Sequence, residues 1–220
     1  MTLNRMMQTR VALVLIVAAL FTGCASTSDS KTQPKTIAGS DGTPYQKYRD
    51  IQLAWFADGF DFAGYDTLLI TPAKYAAKER PNEVDMRTWA TGYLQSAFLE
   101  FIRTNGIFAN VTTRESDVKP GAKFLRMENT IIEYEKGGGG ARFWAGEFGS
   151  GQPVIKVRGQ FADGDKPLCK YEARRSGESV SARLFGEYSS DRAIQQNDIN
   201  DLARDMSVFI LRTSKHLPTR

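Results

Sequence analysis

VIKVRGQFADGDKPLCKYEARR, residues 154–175, decides the architecture of the chain. Side chains on an extended backbone alternate with a period of two, so Ile155 and Val157 point to one face and Lys156, Arg158 and Gln160 to the other. Beyond the turn Asp163-Gly164-Asp165-Lys166-Pro167 the alternation resumes. Cys169, Tyr171 and Ala173 share an apolar face, and Lys170, Glu172 and Arg174 a polar one. Two such runs joined by a short glycine-containing turn predict a β-hairpin. A dry face backed by a wet one is the pattern of an antiparallel sheet covered on one side only.

The cover is readable elsewhere. Trp89, Ala90, Tyr93, Leu94, Ala97, Phe98, Phe101 and Ile102 recur on one helical face. With start signals at Pro81-Asn82 and a stop at Asn105-Gly106, the spacing predicts a helix from Glu83 to Thr104. A second stripe, Ile199, Leu202, Met206, Phe209 and Ile210, predicts a helix over Asn197–Thr213. Asn197 or Asp198 then serves as its cap, and Asp198, Asn200 and Asp201 read as first-turn residues answering the helix dipole. Strands are expected at Tyr65–Ile70, preceded by an aromatic approach segment (Trp55, Phe56, Phe60, Phe62), and at Phe108–Thr113. A longer strand is expected at Ala122–Glu135. There the apolar face moves from Leu125, Met127 and Ile131 to Ile132 and Tyr134, which predicts a bulge. The order β-α-β-β-β-β-α implies a two-layer α+β domain over residues 48–214. One mixed sheet of about five strands packs against two helices, with a parallel pair around the first helix and a short tail over 215–220.

Ahead of this domain, Arg5 and Arg10 precede an unbroken apolar run of 11 residues, Val11–Phe21, and then Thr22-Gly23-Cys24. The run has the length of a signal-peptide core and falls short of the roughly 20 residues that span a bilayer. Gly23-Cys24-Ala25-Ser26 resembles the lipobox of bacterial lipoproteins, with Phe21 where Leu is usual. The resemblance implies that residues 1–23 are removed and that Cys24 is lipidated (palmitate among its chains). An ordinary cleaved signal next to a stray cysteine is the alternative. Acyl chains contribute about 0.8 kcal/mol per buried methylene, so two or more anchor a protein stably. Ala25, rather than Asp, after the cysteine implies an outer-membrane address, on the inner leaflet facing the periplasm. Residues 24–47 are almost devoid of apolar side chains and read as a disordered tether. Lys and Arg number 29 and Asp and Glu 25, but two of the arginines lie in the signal. The remaining balance of +2 gives no basis for nucleic-acid binding.

Chemistry-bearing residues are sparse. Cys169 is the one cysteine besides Cys24, so no intramolecular disulfide is expected, and its strand position predicts a buried, inert thiol. The single histidine, His216, lies in the tail. The usual zinc sets and His-dependent triads find no members, so no catalytic residue, metal or cofactor is assigned. The close acidic pairs Asp58/Asp61 and Glu133/Glu135 read as solvated edges. The unusual stretch is 137–151, where seven glycines surround Arg142, Phe143, Trp144, Glu147 and Phe148. It lacks the Gly-Lys-Ser/Thr ending of a P-loop, the dinucleotide spacing and the nucleophile elbow. These five residues are the candidate partner or ligand contacts. A connection between strands with its aromatics tucked onto the domain is the structural alternative.

Phe62-Ala63-Gly64-Tyr65-Asp66, the first amphipathic helix, Arg142 with Gly146–Gly151, and the Asp163-Gly164 hairpin together resemble the bacterial lipoproteins grouped as domain of unknown function 4410. Glu147 interrupts the family's Gly–Phe spacing. The approach segment is similar to that of a neighbouring family, domain of unknown function 3313. The resemblance covers residues 50–186 and implies an envelope lipoprotein with a small α/β domain, without supplying an activity. The expectation is a non-enzymatic, lipid-anchored binding or adaptor protein with an envelope protein or glycan as partner. The alternative is a binder of small ligands or peptidoglycan fragments, or a hydrolase of them, with a site near Arg142–Gly151.

Overall fold

The computed structural model describes residues 36–39, 41–78, 84–135, 153–176 and 191–215. Its strands are β1 (Ile37–Ala38), β2 (Pro44–Lys47), β3 (Leu53–Phe56), β4 (Thr67–Ile70), β5 (Lys74–Tyr75), β6 (Asn110–Thr112), β7 (Phe124–Glu135), β8 (Val154–Asp163) and β9 (Lys166–Ser176). Helix α1 is Val84–Arg103 and α2 is Asp191–Ser214. The strands form one mixed sheet in the order β1-β2-β3-β9-β8-β7-β4-β6. β4 runs parallel to both β6 and β7, and the others are antiparallel, except that β5 pairs parallel with β7.

The 154–175 hairpin forms as expected, in a two-residue loop closed by Asp163 opposite Lys166. Gly164 takes φ +57° there, a left-handed backbone that glycine adopts without steric cost. The β7 bulge is also present. Ile131 pairs with Val157 and Glu133 with Lys156, leaving Ile132 unpaired. The extra residue lets Ile131 and Tyr134, three apart, both turn inward, and Ile132 becomes the bulged residue instead of a member of the inner face.

The sheet has nine strands where about five were expected. Three of the additional strands precede β4. Residues 37–38 and 44–47 pair into the sheet, so the tether expected to reach residue 47 ends earlier. The aromatic approach segment contributes β3, which lies against β9. The fourth, β5, continues the line of β4 along β7. Ile70 pairs with Met127 and Lys74 with Thr130, and Thr71-Pro72-Ala73 breaks the line between them. Pro72 has no N–H to give to the ladder, and the chain steps away from it there.

One face of the sheet carries Ala54, Leu68, Ile70, Leu125, Met127, Val157, Phe161, Cys169 and Tyr171 into a single core with Leu94, Phe98 and Ile102 of α1 and Leu202, Met206, Phe209 and Ile210 of α2. The two helices are tied by the Tyr93 hydroxyl donating to Asn200 Oδ1 at 3.1 Å and by the Ser207 hydroxyl donating to the Phe101 carbonyl at 2.8 Å. Cys169 is fully buried, and burial pushes its thiol well above the ordinary value.

Helix α2 begins at Asp191, six residues before the expected Asn197, so Asp198 is not a first-turn residue. It is 4% exposed in the helix interior, with Oδ2 lacking a hydrogen-bond partner, and the buried Gln195 one turn earlier lacks partners on both polar atoms. Burial, reinforced by Asp201, pushes the Asp198 carboxyl up to about 7, against the pull of Arg175. A raised acid pKa means that the folded state holds a proton that the unfolded chain releases near its ordinary value of 3.8. Stability contributed by this group is therefore present below about pH 4, declines as pH rises, and is fully lost above about 7. The variant Asp198→Asn should match the wild type in urea denaturation near pH 4. Near pH 8 it should be more stable by about 2 kcal/mol, the full shift being discounted for solvent screening. Parallel stability–pH curves for the two proteins would refute the assignment.

Candidate functional site

The polar face of the hairpin looks away from both helices, and alternation in β7 extends it with Arg126, Glu128 and Thr130. A cleft of about 560 Å³ lies on this face. Its floor is made by Arg126, Glu128 and Thr130 of β7, Arg158 and Gln160 of β8 and Lys170 of β9. One wall is the break after β4, with Thr71, Pro72 and Lys74. The other is formed by Asp41 of the β1–β2 connection and Tyr45 of β2.

Each wall has a local cause. Asp41 accepts hydrogen bonds from the backbone N–H and the hydroxyl of Thr43 at 3.0 and 2.8 Å, a self-bonded turn. Lys170 reaches up from the floor to Asp41 Oδ2 at 3.3 Å and the Thr43 hydroxyl at 3.0 Å, fastening that turn to the sheet. Burial acts to raise the Asp41 carboxyl, but the Thr43 bonds and the Lys170 charge outweigh it and hold the pKa at about 2. Tyr45 is fully buried yet lies outside the helix-side core. In β2 it neighbours Gln46, which pairs with the core-face Ala54, so alternation turns Tyr45 to the polar face, and among the described residues its hydroxyl completes no hydrogen bond. Burial, with Asp41 and Glu172 nearby, pushes the phenol up to about 12, so it remains a neutral hydroxyl.

Beside the floor, Glu172 departs from its expected solvent-facing role, its side chain being only 6% exposed. It accepts Lys156 at 2.8 Å and Arg158 at 2.7 Å on its two oxygens. Burial would raise its pKa, and these two cations more than reverse that. Glu128 accepts from Gln160 Nε2 at 2.9 Å and lies 3.9 Å from Arg126. Lys74 is exposed and joins no ion pair among the described residues. Four cations (Lys74, Arg126, Arg158, Lys170) thus line the cleft with two carboxylates (Asp41, Glu128). The combination offers charge, hydrogen-bond donors and hydrogen-bond acceptors together, which suits a polar, hydroxyl-rich ligand of net negative charge.

Cys24, Arg142, Phe143, Trp144, Glu147, Phe148 and His216 lie outside the described residues. Of the acidic pairs, Asp61 accepts the Ala63 N–H at 3.0 Å to cap a 3-10 turn, and Glu133 faces Arg174 at 3.7 Å. Among the described residues, no three His, Cys, Asp or Glu side chains assemble as a metal-ligand group, and no helix is long and apolar enough to cross a membrane. The hairpin's alternation placed Lys156, Arg158, Gln160 and Lys170 on the cleft face, whereas Asp41, Tyr45, Lys74 and Arg126 had no motif to mark them.

No family model matches the chain, and no curated protein matches it. Among solved structures, it is similar to the PelC dodecamer from Paraburkholderia phytofirmans, at 15% identity over 69% of this chain and 96% of that one, with a TM-score of 0.44. A Xanthomonas campestris protein of the domain of unknown function 330 group is 11% identical over 69% and 86% of the two chains, with a TM-score of 0.40. A minor lipoprotein from Acinetobacter baumannii is 15% identical over 71% and 99%, with a TM-score of 0.31. Bacterial lipoproteins are thus among the structural neighbours, at scores that carry no argument about function.

Proposed function

We propose that the chain is a lipid-anchored binding or adaptor protein of the bacterial envelope. In this reading Cys24 holds it on the inner leaflet of the outer membrane, and its open sheet face is presented to the periplasm. The observation that carries the binding role is the cation-rich cleft on the sheet face opposite the helices, built from three adjacent strands and walled by two turns. The anchor is supported by the basic start, the 11-residue apolar run and the Gly23-Cys24 junction. The resemblance to domain of unknown function 4410 lipoproteins supports the anchor alone, since it implies no activity. A partner held by such a surface needs no chemistry from the protein, and the lipid keeps the surface at the membrane with no further contact.

Two measurements test this. Mass spectrometry of the mature N-terminus with membrane fractionation should find acylated Cys24 as the first residue, and an unmodified start elsewhere removes the anchor. Crosslinking in intact cells from a photoreactive residue at position 74 should capture an envelope protein or glycan that is lost on Arg126→Glu. Capture unchanged by that substitution removes the cleft from the binding role.

A further inference from the structure

We infer that the cleft is a binding site for an acidic saccharide, a short glycan whose sugar rings bear carboxylates. The inference rests on the proposed binding role and names its ligand class. Three observations narrow the chemistry. The lining holds an excess of two positive charges, with Lys74 in no ion pair among the described residues and Arg126 only 3.9 Å from its carboxylate neighbour. These two side chains, Lys74 beside β7 and Arg126 on it, are the ones available for a ligand carboxylate. Second, Glu128 and Asp41 stand within the same cleft as acceptors. A phosphate or other compact anion concentrates its charge and offers at most one or two hydroxyls, so these carboxylates repel it, whereas a sugar ring offers several neutral hydroxyls to such oxygens. Third, Thr130 and Gln160 add neutral hydrogen-bonding groups to the lining. The volume of about 560 Å³ falls within the range of roughly 300–1,000 Å³ typical of small-ligand sites.

The charge pattern gives a discriminating variant. For a site that attracts anions by charge alone, Glu128→Gln removes a repulsive carboxylate and tightens binding. For an acidic saccharide it exchanges a charged acceptor of ligand hydroxyls for a weaker neutral one and an amide donor, and weakens binding.

The experiment is calorimetric titration of the full-length protein, purified in detergent, with trigalacturonate, neutral maltotriose and inorganic phosphate. Trigalacturonate should bind with a Kd below about 1 mM, and tenfold excess phosphate should leave that Kd within a factor of two. Lys74→Ala, Arg126→Ala and Glu128→Gln should each weaken it at least fivefold, while Lys119→Ala, outside the cleft, leaves it unchanged. Thermal melts of the variants check the fold, and the exposed Lys74 position keeps the test readable if a floor variant unfolds. Absence of trigalacturonate binding, equal binding of maltotriose, full displacement by phosphate, or tighter binding by Glu128→Gln would each overturn the inference. Those results leave the N-terminal and crosslinking tests of the anchored adaptor standing, so the two failures are distinguishable.

Discussion

Replacing Phe62 by alanine should cost about 4 kcal/mol. Phe62 is fully buried in the 3-10 turn that joins β3 to β4. Its ring lies 4.7 Å from Phe60, 4.9 Å from Phe161, 6.2 Å from Phe209, 6.4 Å from Phe108 and 6.5 Å from Phe56 between centroids. These partners belong to the sheet, to α2 and to the segment after α1, so one ring packs against both layers. Most of the pairs are edge-to-face, an arrangement that adds about 0.5–1.5 kcal/mol to the area buried. Truncation removes the ring's transfer energy and leaves a cavity walled by residues from separate elements, which cannot all collapse into it. Urea denaturation should show the full loss for Phe62→Ala, about half of it for Phe62→Leu, and a smaller loss for Phe60→Ala, because Phe60 is only half-buried. A loss below about 2 kcal/mol for Phe62→Ala, or a larger one for Phe60→Ala, would show that the cluster repacks and has no central member.

How legible this arrangement was depended on whether a segment's burial follows a simple period. Helix α1 is apolar on one face along its length, and its expected bounds of Glu83 and Thr104 lie one residue outside the observed Val84 and Arg103. The hairpin and the β7 bulge were equally open to reading, because alternation and its interruption are local signals. Strands β1 and β2 gave none. β1 and β2 form a sheet edge whose one large buried residue, Tyr45, turns to the polar face, so composition alone matched a tether. Strand β5 is two residues long and follows a proline, and its only cause is the already formed edge of β7. The first turns of α2 contain Arg192, Gln195 and Gln196, and Ile194 alone continues the apolar stripe backward, which moved the expected start to Asn197. The site divides the same way. The floor follows from strand alternation, while the walls are turns brought over the floor by tertiary pairing.

Gly159→Ala should cost about 3 kcal/mol although it adds a single methyl group. Asn129, Gly159 and Tyr171 face one another across β7, β8 and β9. The Tyr171 ring lies over the glycine, and its hydroxyl donates to Asn129 Oδ1 on the far strand. A Cβ at position 159 would overlap Tyr171 Cζ and Oη and stand 2.8 Å from the Glu128 carbonyl oxygen, well inside contact distance. The ring cannot swing aside without losing that hydrogen bond and disturbing Phe161, 5.7 Å away. The carbonyl cannot move without shifting β7. That second route reaches the cleft. Displacing the Glu128 backbone moves the carboxylate that accepts Gln160 at 2.9 Å on the opposite face. A double-mutant cycle separates the two clashes. Tyr171→Ala alone should cost about 4 kcal/mol through its cavity. If the ring is the main obstacle, the added cost of Gly159→Ala in that background should fall by at least half. A cost that stays unchanged would mean that the Glu128 carbonyl, and not the tyrosine, is what requires glycine in the middle of β8. The two proteins should then differ on the cleft side as well, with ligand affinity falling in Gly159→Ala whether or not the tyrosine is present.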